Sequence, residues 1–317
     1  MRLFFLFFPF FLFCDINIVF VHIGKNIPDY VSEALLQARR FNEDAPIYFL
    51  GNRDALRGSH LPNSIKTIAL ETLTPSHSHI FFSKNHKHSD SLEGFWQYTI
   101  ERFFYLDELA RQYKLKNIFH LENDVMLYRD LNELLPVFEK YYPSIGATFD
   151  ADHRVIPGFM YFKNPISLSH LARHLSKSAL RNLDMMSIAS YRNSSRRKKI
   201  DFLPIIFPGY VDKKPLISSL GVEPEHPKNY WNHFKEFNSV FDAACIGQYL
   251  GGESPRNIGE IVPGFINETC VFNPSYLQYE WIEDSQGRKV PYINFDDKQF
   301  RINNLHIHSK KLAEFRS

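Results

Sequence analysis

Residues 120–128 read His-Leu-Glu-Asn-Asp-Val-Met-Leu-Tyr (HLENDVMLY), and the rest of the chain is best read outward from them. An apolar run at residues 117–121 (NIFHL) stops abruptly at Glu122-Asn123-Asp124, and a second apolar run follows at once. Short apolar runs closed by polar residues read as buried strands. This one delivers two carboxylates, one residue apart, at the carboxyl end of a strand, which is where ligands collect in open α/β sheets. Two carboxylates held together repel each other unless solvated or neutralised by a cation, and oxygen donors suit Mg²⁺ or Mn²⁺. The competing reading is a polar turn in which Asp124 caps a neighbouring element.

Upstream, strands and helices alternate. Residues 15–23 (DINIVFVHI) form a β-branched run ending at Gly24, and residues 27–41 carry apolar side chains at helical spacing after Pro28. A second strand at 45–50 (APIYFL) closes at Gly51-Asn52, a third is expected at 65–70, and a long helix at 95–113 precedes the acidic strand. Such βαβ alternation calls for an α/β fold with a mostly parallel sheet. Downstream, the pattern predicts a helix at 131–141, strands at 145–149 and 158–162, and a helix from Ser167 to about Asn182. A helix is expected at 242–250, stopped by Gly251-Gly252, and a hairpin at 277–293 around Ser285-Gln286-Gly287. Residues 300–311 (FRINNLHIHSKK) read as one closing strand, with Leu305 and Ile307 on one face and His306 and His308 on the other.

The 317 residues are 44% hydrophobic and 23% charged, which excludes a disordered or fibrous chain. Thirty-seven Lys and Arg against 35 Asp and Glu leave a formal charge of +2, so no global field gathers nucleic acid. The preferred organisation is one domain over residues 15–317. Residues 1–14 (MRLFFLFFPFFLFC) are signal-like: an apolar run behind Arg2, ended by Asp15 before it reaches the roughly 20 residues of a spanning helix. Export or membrane association follows if that signal works, and a cytoplasmic protein if it does not. Cys245 and Cys270 either pair or stay reduced. Asn193-Ser194-Ser195 and Asn267-Glu268-Thr269 are glycosylation sequons. Residues 75–92, with His77, His79, His86 and His88, are expected as a mobile polar loop near a cleft, and residues 191–199 (YRNSSRRKK) as a solvated basic loop.

Taken in order, several segments resemble the nucleotide-sugar glycosyltransferases of the GT-A fold. They are VFVHIGKNIPDYVSEALLQARRFN (19–42), PIYFLGN (46–52), FWQYTIERFFYLDEL (95–109), HLENDVMLY (120–128), GFMYFKN (158–164), DAACIGQYLGG (242–252) and NLHIHSKKL (304–312). The resemblance covers most of residues 16–312. It implies a GT-A type, Rossmann-like fold with a mostly parallel central sheet flanked by helices. A nucleotide-binding half would span about 15–130, an acceptor half about 131–300 and a metal-closing strand about 300–312.

The family motif is usually Asp-x-Asp, and here it reads Glu-x-Asp. By resemblance Asp124 ligates Mn²⁺ or Mg²⁺ bridging the donor's phosphates, Glu122 binds metal or ribose, and His308 or His306 is the distal ligand, with His308 favoured. Lys310 then faces the diphosphate. His22, Gly24 and Asn52 would border the base and ribose, unless their loops are ordinary strand-to-helix turns. Arg102 reaches the donor or pairs with Glu101 or Asp107. Gly158 admits the donor sugar or relieves a crowded strand, and Asp242 is either a base acting on the acceptor hydroxyl or a helix cap. The implied reaction is metal-dependent transfer from a UDP- or GDP-sugar to a saccharide, glycolipid or protein acceptor. A degenerate member that only binds sugar or nucleotide is the first alternative. Sugar-phosphate nucleotidyl transfer is disfavoured, because the first strand lacks a glycine-rich, basic phosphate loop.

Overall fold

The computed structural model describes residues 16–86, 95–178, 183–194, 200–253 and 263–317. The signal-like residues 1–14, His88, residues 195–199 of the basic run and Ser195 of the first sequon lie outside them. The strands are β1 (Asn17–Val21), β2 (Ile47–Gly51), β3 (Lys66–Ala69), β4 (Ile118–Leu121), β5 (Val125–Leu127), β6 (Ile145–Ala151), β7 (Arg154–Phe162), β8 (Ile200–Phe202), β9 (Ser239–Val240), β10 (Gln278–Glu283), β11 (Lys289–Phe295), β12 (Lys298–Ile302) and β13 (Asn304–His306). Seven of them form a central sheet in the order β3-β2-β1-β4-β7-β6-β8. Within it β7 alone runs antiparallel to its neighbours β4 and β6, and the other pairings are parallel.

That order sets the position of the site. From β1 to β2 the chain moves one way across the sheet, and from β3 to β4 it moves back past β1. Right-handed crossovers then place the helices Tyr30–Phe41 and Phe95–Tyr113 on opposite faces. Strands covered on both faces are nearly continuous apolar runs, as in the buried Ile18–Phe20 segment and in Ile118–Leu121, where the one polar residue, His120, has Nδ1 3.0 Å from the Val19 carbonyl. The reversal leaves a crevice outside the carboxyl ends of β1 and β4, the topological switch point where ligands bind in such sheets. Glu122 and Asp124 stand there.

The buried apolar residues form one continuous cluster, with Phe138 at a crossing of layers. Its ring centre lies 4.6 Å from Tyr161, 5.0 Å from Phe119, 5.1 Å from Phe237 and 5.3 Å from Tyr142. Aromatic pairs at these separations add to the burial energy.

Several expectations change on folding. Residues 300–311 are two strands: β12 pairs with β11 and β9, and β13 crosses to pair antiparallel with β5. The break falls at Asn303, whose N–H donates to Val240 of one sheet while its carbonyl accepts from Tyr128 beside the other. The His-rich segment contains the helix His77–Asn85, started by Ser76, whose hydroxyl accepts from the His79 N–H. His79 is buried, with Nδ1 2.8 Å from Glu108 Oε1 and its ring stacked on Phe104, so a core contact claims it rather than a mobile loop. The first part of the basic run belongs to the helix Asp184–Asn193. Cys245 and Cys270 are buried free thiols. Among the described residues no helix is long and apolar enough to cross a membrane.

Phe138→Ala removes the ring that six aromatic neighbours share, Phe159 and Phe241 besides the four above. We expect a loss of about 3–5 kcal/mol, read as a lower midpoint in urea denaturation; an unchanged midpoint would show that the layers close without it.

Candidate functional site

Pairing continues one residue past β4, with Glu122 N–H donating to the Gly158 carbonyl at 3.1 Å. Val125 N–H then donates back to the Glu122 carbonyl, also at 3.1 Å, and turns the chain into β5. The Asn123 amide pins this turn to the end of β1 by donating to the Val21 carbonyl at 3.0 Å. Both carboxylates are thereby fixed beside the crevice.

β13 supplies the facing half. His306 is opposite Val125 in the β5–β13 ladder, and Ile307 N–H donates to the Asp124 carbonyl at 2.9 Å. His306 Nε2 lands 3.1 Å from Glu122 Oε2 and 3.1 Å from Asp124 Oδ1. Two glycines make room: a Cβ at Gly158 would lie 2.6 Å from His306 Nδ1, and one at Gly247 would lie 2.2 Å from the His306 carbonyl oxygen. Gly158 therefore serves the imidazole that packs on it. Lys310 adopts a left-handed φ of 61°, and its N–H donates to the Ile307 carbonyl at 3.0 Å. Its ammonium bonds Asp124 Oδ2 and lies 5.7 Å from the centre of the Tyr30 ring.

The buried carboxylates survive because cations surround them. Burial would raise the Glu122 pKa, but the Arg102 guanidinium, hydrogen-bonded to Oε1, and His306 hold it well below the usual carboxylate range. Burial works the same way on Asp124, and there His306 and Lys310 win, again lowering the pKa. Burial alone would lower the His306 imidazole; the carboxylates of Asp124 and Glu122 overcome it and raise it to about 10. His308 is pushed down to about 3 by burial and by the charge on His306, so it is neutral. Arg102 also binds Asp184 at 2.9 Å, and burial raises that carboxyl despite the contact. Arg102, protonated His306 and Lys310 thus face Glu122, Asp124 and Asp184.

Asp124, His306 and His308 bring one ligand atom each to within 4.8 Å of one another. One carboxylate oxygen and two imidazoles are a fitting donor set for a borderline divalent ion such as Mn²⁺, and fit Mg²⁺ less well. His306 Nδ1 is buried without a hydrogen-bond partner, consistent with a ring placed for its other nitrogen. Glu122 lies outside the triad, its two oxygens taken by Arg102 and His306. At His308, Gln248 Nε2 is 2.7 Å from Nδ1 while Gln248 Oε1 is buried with no partner. With the amide turned over, Oε1 accepts from Nδ1–H, and the tautomer that results offers Nε2 as a ligand.

The remaining candidates fall into three groups. His22, Gly24 and Asn52 come together: Gly24 N–H donates to Asn52 Oδ1 at 2.9 Å, and His22 Nε2 is 2.7 Å from the Asn26 carbonyl. This staples the loops after β1 and β2. Arg102 pairs with neither Glu101 nor Asp107; the latter binds Arg111 at 3.2 Å. Asp242 is corrected to a structural role. Its Oδ1 accepts from the N–H groups of Cys245 and Ile246, and its Oδ2 from those of Gly247 and His306, all at 2.9 Å. Both oxygens are committed, so Asp242 caps the helix Ile246–Gly251 and ties it to β13 rather than serving as a base. Burial raises its pKa and these backbone donors oppose the rise. Asp184, Gln248 and Tyr30 were not anticipated: Tyr30 and Gln248 lie within segments that carry the resemblance but were given no role there, Asp184 lies outside them all, and only the folded chain brings the three here.

No family model and no curated protein matches this chain. Among solved structures it is similar to mouse xyloside xylosyltransferase 1, at 13% identity and a TM-score of 0.42, over 63% of this chain and 90% of that one. An active-site mutant of LgtC matches at 14% identity and a TM-score of 0.42, over 68% and 81% of the two chains. The glycosyltransferase GlyE of Streptococcus pneumoniae matches at 16% identity and a TM-score of 0.35, over 59% and 44%.

Asp242→Asn turns an amide group toward two backbone N–H donors. It should lower stability by about 1–3 kcal/mol in denaturant titration, whereas a pure base would leave stability untouched. A raised histidine pKa stabilises the fold fully below its unfolded value of 6.5, and the gain is lost as pH rises through about 10. The metal-free protein should therefore lose thermal stability over that window. Because a metal must displace the His306 proton, Mn²⁺ affinity should rise over the same window; calorimetry showing pH-independent affinity would refute the assignment of His306.

Proposed function

We propose that this chain is a divalent-metal-dependent glycosyltransferase that takes a sugar from a UDP- or GDP-sugar and passes it to a saccharide, lipid or protein acceptor. The observation that carries the reading is the convergence of Asp124, His306 and His308, with Lys310 beside them, at the sheet's switch point. The resemblance of the ordered segments to the GT-A family supports it as well.

In this reading Asp124, His306 and His308 hold Mn²⁺ or Mg²⁺, which when bound offsets the negative charge developing on the departing nucleoside diphosphate. Lys310 moves from Asp124 to the diphosphate oxygens, a short reach for its flexible ammonium. Arg102 and His306 keep Glu122 ionised, and Asp184 holds the Arg102 guanidinium in place, leaving Glu122 to accept a hydrogen bond from a ribose hydroxyl. The stapled His22, Gly24 and Asn52 loops border the nucleoside. The signal-like residues 1–14 favour an exported or membrane-associated enzyme.

A ligand that binds only the folded state raises its stability, by about 2.7 kcal/mol at a hundred times its dissociation constant. Thermal shifts with UDP, GDP and CDP, each with and without Mn²⁺, should single out one nucleotide whose shift depends on the metal. Asp124→Ala and His308→Ala should abolish that dependence. No shift with any nucleotide, with or without metal, would refute the proposal, and a shift without turnover of any nucleotide sugar would leave only a binding protein.

A further inference from the structure

The second sheet carries a surface that the proposed reaction does not use. Gln278 on β10 is in register with Asn294 on β11, which is in register with Gln299 on β12. Directly opposed residues share a face, so three amides form a row across three strands, roughly 4.8 Å from one strand to the next. Glu280 is two residues along β10 from Gln278, on the same face. Its Oε2 accepts from Asn294 Nδ2 at 2.8 Å and from Gln299 Nε2 at 3.3 Å, which fixes both amide planes. Tyr276, two residues before Gln278, is 54% exposed at one end of the row. Tyr276 and the three amides line an open groove of about 760 Å³.

The charges around the groove balance. Asp296 is paired with Lys213 at 2.5 Å, Lys214 lies 4.6 Å from the centre of the Tyr276 ring, and Asp297 is followed by Lys298. Neither an anion nor a cation is favoured by such a surface. Amides both donate and accept, as hydroxyl groups do, and the aromatic ring offers a flat apolar face. The groove is also built before any ligand arrives. Asp296 and Asp297 form a two-residue turn with φ of 51° and 57°, the tight geometry that sets hairpin register.

We propose that this face of β10, β11 and β12 binds a neutral oligosaccharide, laid across the strands so that successive sugar units meet successive amides and one ring packs on Tyr276. The site is separate from the metal centre and works without it.

The test is isothermal titration of the full chain, in EDTA, with neutral hexasaccharides of glucose, galactose and mannose, and with a hexagalacturonate as the anionic counterpart. At least one neutral hexasaccharide should bind saturably, and the anionic one should not. Tyr276→Ala and Gln299→Ala, both at exposed positions, should each weaken binding by about ten-fold or more. Their thermal midpoints and their Mn²⁺-dependent nucleotide shift should stay unchanged, which separates failure here from failure of the transferase reading. Binding of no neutral hexasaccharide, binding undiminished in both variants, or binding that requires Mn²⁺ would overturn the proposal.

Discussion

Glu122 and Asp124 are buried almost side by side, and no arrangement of apolar neighbours makes that tolerable. Two desolvated carboxylates demand cations, and the chain brings them from three directions: Arg102 from the helix over the sheet, His306 from β13 and Lys310 from the turn beyond it. A buried charge left without its partner costs several kcal/mol. The placement of β13, the absence of a side chain at Gly158 and Gly247, and the unusual backbone of Lys310 all serve to bring those charges within reach.

On the proposed function, the same demand lets the site exchange one cation for another. Protonated His306 and Lys310 occupy Asp124 in the absence of metal, so a divalent ion that displaces them substitutes like charge for like. Asp242 contributes through geometry alone. Its carboxylate gathers four backbone N–H groups and, by accepting from the His306 N–H, completes the edge of β13 that β5 does not cover.

Much of this was legible in the sequence. The strand ending at Leu121, the long helix over residues 95–113 and the helix over 131–141 follow from period and punctuation, because each buries a continuous apolar face. Asp124, His306 and Lys310 were legible as a group only through the resemblance, since nothing local links positions so far apart. What stayed hidden had non-local causes. A run of alternating residues does not reveal that Asn303 hands it from one sheet to another, and an acid at the start of a helix does not announce Arg102 as the partner of Asp184. Asp242 stayed open between base and helix cap because an acidic residue before a helix looks the same whether it faces a substrate or its own backbone. His79 misled because a His-rich, polar composition hides a core contact with Glu108 and Phe104.

Asp124 and Lys310 are separated by 186 residues, and this has a bearing on how the molecule assembles. Closing so long a loop is slow compared with forming the local β1–β2 hydrogen bonds, and proteins rich in such distant contacts fold slowly. While the first strands condense, Glu122 has Arg102 from an adjacent segment, but Asp124 has no cation of its own. The Asp124–Lys310 pair therefore forms only once β13 has come to lie against β5, a contact that no local segment can supply.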